Sequence, residues 1–361
     1  MRASNLFKNL VLLILVVFLG SVSSYASEKS LEEAEEEFNP TDMIMHHIGD
    51  AHGWHFFGAD EAAVTLPLPV ILYTDSGIVS FMSSEFHHDI TGHHVVEKDG
   101  KYFVTLHEDI YMIKEYLNAV EFDEDHHPIN AVKPLDFSIT KNVAAMFLTV
   151  IIMIVVFFNL SRHLKKNKKA PKGINNALEA LVLFVRDDIA RPQIGEKKYA
   201  KFMPFLLTVF FFIWITNLLG LFPGAANVTG NISITVSLGL ITLVLMLVNG
   251  NKEFWQHTLW MPGVPGFVKP ILAIVELLGL FVKPIALMIR LFANITAGHI
   301  IILSLLGLIF ILESAGVAGV SVPFALFISV LELLVAFLQA FIFTMLSALF
   351  IGMSVAEHED H

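Results

Sequence analysis

Residues Leu287 to His299 read Leu-Met-Ile-Arg-Leu-Phe-Ala-Asn-Ile-Thr-Ala-Gly-His, and they set Arg290, Asn294 and His299 inside an apolar run from Ile271 to Leu312. Arginine keeps its proton at every accessible pH, so within hydrocarbon it needs a carboxylate, a water-filled cavity or both. Its cost at the centre of a membrane helix is roughly 2.5–3.5 kcal/mol on insertion scales. A plain structural account has Arg290 snorkelling to an interface or pairing with Glu276. A second apolar stretch, Val322 to Met353, weighs against that account. Its middle carries two strongly polar side chains, Glu332 and Gln339. They are seven residues apart, nearly two helical turns, and therefore share one face at about 10 Å separation.

Residues that face each other across an antiparallel hairpin have position numbers with a constant sum. Arg290 with Gln339 gives 629, and His299 with Glu332 gives 631. Both pairings place the turn at Ser314-Ala315-Gly316, where small residues already suggest a break. The expectation is a polar seam across two helices. His299 and Glu332 are proton carriers that burial and mutual proximity can tune. Arg290 is instead a fixed positive charge, suited to ionising a passing carboxylate and to stopping protons from leaking past. Asn294 and Gln339 can orient water or the guanidinium without adding charge. No acid of this chain is level with Arg290: Glu276 stands fourteen residues upstream, about 21 Å along a helix. The missing carboxylate is expected from another subunit.

With these residues in place the chain resembles subunit a of F-type ATP synthases. The motif Arg290-Leu-Phe-Ala-Asn294-Ile-Thr-Ala-Gly-His299, followed by Glu332 and Gln339-Ala-Phe-Ile-Phe, carries the likeness. Thr216-Asn217-Leu-Leu-Gly-Leu-Phe-Pro223, Glu276 and Pro284 extend it over about the last two hundred residues. The resemblance implies an arginine facing a rotating ring of c subunits, each with an essential carboxylate, between two offset aqueous half-channels. It places Asn294, His299, Glu332 and Gln339 around the arginine and the inlet path, and Glu276 toward the other path. Some members have a carboxylate where His299 stands and a histidine where Glu332 stands, so the pair is exchanged here. Some also carry an acid where Gly220 stands, a side chain that this sequence lacks. The implied partners are the c ring, the subunit b peripheral stalk, the F1 sector and the lipid bilayer of a bacterial inner membrane.

The rest of the chain fits a polytopic membrane protein. It has 361 residues, 55% hydrophobic, with 31 Phe and no Cys, so disulfide and thiol chemistry are excluded. Residues 1–26 read as a signal peptide, with Arg2 and Lys8, an apolar core from Leu10 to Leu19, and Ser24-Tyr-Ala26. The other reading of that segment is an uncleaved helix, for which the core is short. Residues 27–136 form an acidic, histidine-rich extension expected to lie in the periplasm. Strand-like content from Ala63 to Tyr73, Ile78 to Met82 and His94 to Leu106, with the turn Lys98-Asp-Gly-Lys101, predicts a small β-containing domain. Its clusters His46-His47, His52 and His55, His87-His88, His93-His94 and His126-His127 match no strong metal motif, and a solvated acidic surface is the simpler reading.

The expected fold is all-α and polytopic beyond that extension, with two long, inclined C-terminal helices forming an antiparallel hairpin. Residues 137–165 hold the first transmembrane helix. The following basic run, Ser161 to Lys172, marks the cytoplasmic side and places the C-terminus there too. Residues 166–202 hold that loop and an interfacial amphipathic helix, with Leu178, Leu181, Val182, Val185 and Ile189 on one side and Pro192 and Gly195 ending it. Transmembrane helices follow at 203–223 and 230–250, then a cytoplasmic loop at 251–267. The long helices are expected at 268–312 and 321–354, with Pro270 and Pro284 as kink points. Asn217 reads equally as a functional amide or as interhelical glue. No Walker-type loop occurs, so no nucleotide chemistry, cofactor or metal is expected in this chain, and no nucleic acid. The competing classes are an independent ion or proton transporter, which would show internal repeats, and a membrane-tethered metal-binding protein.

Overall fold

The computed structural model describes residues 49–57, 64–87, 89, 92–106, 108–113, 129–166, 173–222, 224, 226–261, 263–312 and 314–356. The expected signal segment, the acidic run at 31–37, His46-His47, His88, His126-His127 and part of the basic run lie outside the described residues. Two units divide the chain. The first comprises residues 1–146, 219–226 and 299–329, and the second comprises residues 147–218, 227–298 and 330–361.

The first unit holds short antiparallel strands: β1 (Gly53–Phe57), β2 (Val64–Pro67), β3 (Pro69–Thr74), β4 (Gly77–Met82), β5 (Val96–Lys98), β6 (Lys101–Leu106), β7 (Asp109–Ile113), β8 (Ala131–Val132) and β9 (Leu135–Asp136). β1 pairs with β2, β3 sits between β4 and β9, and β5 to β8 follow one another across a four-stranded sheet. Strand alternation turns Val70, Leu72, Val79 and Phe81 inward, where they meet Phe103 and Ile110. The β5–β6 turn pairs Lys98 with Lys101. Asp99 and Gly100 have φ of 52° and 71°, the left-handed pair that a two-residue I′ turn requires.

This domain is tied to the start of α1 (Lys141–Lys166). The Lys141 amide donates to the Ala51 carbonyl at 2.9 Å, and the Asn142 amide donates to Asp50 Oδ1 at 3.1 Å. Two helix N–H groups that would otherwise lack partners are thereby satisfied from the strand side. Next to them, buried His52 Nε2 meets Asp136 Oδ2 at 2.7 Å. Burial alone would raise the Asp136 carboxyl, but bonds from His52 and Ser138 outweigh it and hold it lowered to about 2.

In the second unit, α2 (Ile174–Phe184) runs through a π-helical segment, Val185–Ala190, into α3 (Arg191–Ile194). Pro192 does not end this element, contrary to the sequence expectation. The π segment just before it relaxes the ladder where proline removes an N–H, and Gly195 ends the run at φ 91°. α4 (Tyr199–Gly220) and α5 (Ile232–Val248) follow. The expected loop at 251–267 contains a helix, α6 (Lys252–Leu259), whose first turn is capped when Phe254 N donates to Asn251 Oδ1 at 2.8 Å.

α7 (Lys269–Leu312) and α8 (Ala315–Val355) have 44 and 41 residues, and Pro284 lies inside the first without ending it. α8 starts six residues before the expected Ser321, because the Ser314 carbonyl already accepts from Val317 and Ala318 N. The break between the helices is therefore narrower than Ser314-Ala315-Gly316.

Phe210, Phe211 and Ile213 of α4, Met246 of α5, Leu287 and Leu291 of α7 and Phe343 of α8 form the core of the second unit. Glycine permits two close approaches. A Cβ at Gly239 would stand 2.9 Å from Met288 Cγ, and one at Gly352 would overlap the Gln193 carbonyl oxygen. The end of α8 is held by Lys198 Nζ, which donates to Val355 O at 2.8 Å, and by Asn251 N, which donates to Ser354 O at 3.0 Å.

Two outcomes follow from these contacts. Asp136 has a depressed folded pKa, so its contribution to stability is present above the ordinary 3.8 and lost as pH falls through about 2. Hydrogen exchange on the full chain should show β1 and β9 losing protection across that window, and Asp136→Asn should remove that acid-dependent loss. At Gly352 the obstacle is backbone, which cannot rotate away, so Gly352→Ala should cost about 1–3 kcal/mol. A lower melting temperature of the purified chain checks this.

Candidate functional site

The buried side of α7 fixes where Arg290 points. Leu280, Leu287, Leu291 and Ile295 are all buried, at the four- and seven-residue intervals of one helical face. Arg290 is exposed at the edge of that buried stripe, while Ile271, Leu278, Val282, Ile285 and Ile289 are exposed on the far side of the helix. Asn294, one turn on, is exposed with it. Ala286, Ala293 and Ala297 are also exposed, so the surface around the guanidinium is unusually low. Among the described residues no hydrogen bond or ion pair engages Arg290, and none joins it to Glu276 or Gln339. Gln339 is buried on α8 while Arg290 faces outward, so the expected Arg290–Gln339 pairing is not a hydrogen bond. Glu276 is half-buried on α7.

Glu332 is buried on α8, 5% exposed. A Cβ at Gly298 would stand 2.5 Å from Glu332 Oε1 and 2.9 Å from its Cδ, so the absence of a side chain at 298 makes room for this carboxylate. The position numbers of that touching pair add to 630, between the 629 and 631 of the expected pairings. Gly298 was not singled out in the sequence. Its signal was a glycine inside a helix, where it costs about 1 kcal/mol relative to alanine and so usually has a packing reason.

In the first unit, His299 Nε2 lies 3.1 Å from the Gly220 carbonyl. A carbonyl can only accept, so Nε2 carries a proton. Gly220 thus contributes through its backbone. A Cβ there would meet only the Ala226 carbonyl, at an ordinary 3.6 Å, so space does not demand glycine. A backbone acceptor leaves no trace in a sequence. In the second unit, Asn217 is buried and its Oδ1 accepts from Thr229 Oγ1 at 2.6 Å, which ties the end of α4 to the short 3-10 turn Val228–Gly230. Among the described residues no three histidine or acidic side chains are grouped to hold a metal.

Comparison with known proteins fits this arrangement of helices and polar groups. Residues 143–352 match the family described as ATP synthase A chain. Residues 43–137 match a separate family described only as a domain of unknown function. The chain is 47% identical over 261 residues to "ATP synthase subunit a" of Chloroherpeton thalassium, covering 69% of this chain and 77% of that protein. It is 48% identical over 255 residues to "ATP synthase subunit a 2" of Chlorobaculum tepidum, covering 66% and 70%. It is 49% identical over 236 residues to "ATP synthase subunit a" of Myxococcus xanthus, covering 63% and 77%. A mostly helical chain with several apolar helices long enough to cross a membrane, matched over more than half its length, belongs to the ATP synthase A chain family, the subunit a of the F-type ATP synthase membrane sector.

Proposed function

We propose that this chain is the proton-conducting stator subunit of a rotary ATP synthase, and that Arg290 faces the carboxylates of a c-subunit ring. The observation that carries this reading is an exposed arginine with no partner among the described residues, on a helix whose exposed side chains are mostly apolar. A permanent charge so placed in a bilayer needs a carboxylate, water or both, and a carboxylate on a facing subunit would meet that need. The alanines at 286, 293 and 297 support it, because small side chains let a second helix backbone approach closely.

α7 and α8 form an antiparallel hairpin in this reading. At 1.5 Å per residue they are about 66 and 62 Å long against a hydrocarbon core near 30 Å. They therefore lie strongly inclined, as a curved contact with a ring requires. Protons enter past Glu332 and His299, load a ring carboxylate, travel with the ring and leave near Arg290 into the path containing Glu276. Asn294, exposed beside the arginine, orients water and the guanidinium, and Gln339 orients water on the buried side. Arg290 keeps each arriving carboxylate ionised and separates the two aqueous half-channels. The N-terminal domain lies in the periplasm behind a signal peptide, the C-terminus in the cytoplasm, and subunit b and the F1 sector complete the assembly in a bacterial inner membrane.

ATP-driven acidification of inverted vesicles tests this reading. Arg290→Ala should abolish pumping while the complex still assembles, and normal pumping would return the arginine to a structural role. Gly298→Ala should displace the Glu332 carboxyl, and a shift of that size in a reacting group costs up to about 100-fold. Pumping should fall by about tenfold with complex abundance unchanged.

A further inference from the structure

The strand domain reaches the chain just beyond the end of α4, whose last carbonyl His299 uses. Trp54, 8% exposed in β1, donates its indole Nε1–H to the Gly224 carbonyl at 2.8 Å. That bond crosses 170 positions of sequence. Gly224 has φ of +73° and lies four residues after Gly220, whose carbonyl accepts from His299 Nε2. All four residues belong to the first unit. β1 cannot drift, because the residues before it are fixed: Ala51 O and Asp50 Oδ1 accept from the first two amides of α1, and His52 is paired with Asp136. Strand β1 thus holds an indole, the indole holds the chain at Gly224, and four residues before it the last residue of α4 presents the acceptor bonded to His299 Nε2.

We propose that Trp54 is a positioning residue for His299, and that the N-terminal domain serves as a brace on the 219–226 loop. An imidazole that relays protons needs a fixed orientation and a fixed tautomer, and a backbone acceptor supplies both only as long as its loop stays in place. Exposed loops held by few contacts open readily. The strand domain supplies one such contact through the indole of Trp54. The functional half of this proposal rests on the proton-path reading above; the brace itself does not.

Two measurements on the purified whole complex separate these. Replacing Trp54 by benzothienylalanine keeps the ring shape and removes only the N–H, so a role in packing alone would be unaffected; Trp54→Phe is the second variant. This chain has no native cysteine, so Leu221→Cys gives it a single thiol on the loop. Loss of the indole bond should speed maleimide labelling at position 221 by about two- to tenfold, the weight of one net hydrogen bond, and should slow ATP-driven pumping by a similar factor. Unchanged labelling with benzothienylalanine overturns the brace. Faster labelling with unchanged pumping, while Arg290→Ala abolishes pumping, overturns the positioning role alone. If Arg290→Ala pumps normally, the proton-path reading fails, and the labelling result still decides the brace.

Discussion

A guanidinium cannot be neutralised, and that constraint organises the membrane part of this chain. Its burial within the chain would require a carboxylate at the same level, and none of the described residues supplies one. The helix instead turns Leu280, Leu287 and Leu291 into the core and leaves Arg290 on the outside. The inward leucines do not merely pack. By filling the core face they set the rotation of α7, and so they fix the direction in which the charge is offered.

The acidic and imidazole groups are treated differently from the arginine. Glu332 is buried against a glycine, and His299 is bonded to a backbone carbonyl. Both arrangements hold the side chain in one geometry. The surrounding scaffold is rigid at its far end too. Lys198 and Asn251 satisfy the last carbonyls of α8, and Gly352 lets that helix press against the Gln193 carbonyl.

Much of this was legible in the sequence, for a physical reason. Polar residues in hydrocarbon are expensive, so Arg290, Glu332 and Gln339 stand out against their background, and their spacing implied a register that the Gly298–Glu332 contact matches. The hairpin at Lys98-Asp-Gly-Lys101 was readable because only certain residues tolerate two successive positive φ angles. What escaped was backbone chemistry and tertiary pairing. Strand β1 holds few residues of clear pattern and pairs through a bulge between His55 and Phe57. The Gly220 carbonyl, the Gly224 carbonyl and the space above Gly298 have no side-chain signature. Pro192 was misread because a π segment can absorb a proline that an α-helix cannot.

The central claim is that the exposed face of α7 meets a carboxylate-bearing subunit, and site-specific photo-crosslinking tests it most directly. A single cysteine in this cysteine-free chain, at Ala293 on the outward face or at Leu291 on the inward face, carries a benzophenone maleimide in the assembled complex. The account predicts that illumination joins the label at 293 to the ring subunit and that the label at 291 yields no such product. A label at 293 that reacts only with lipid, in a complex that retains its ring, would contradict it.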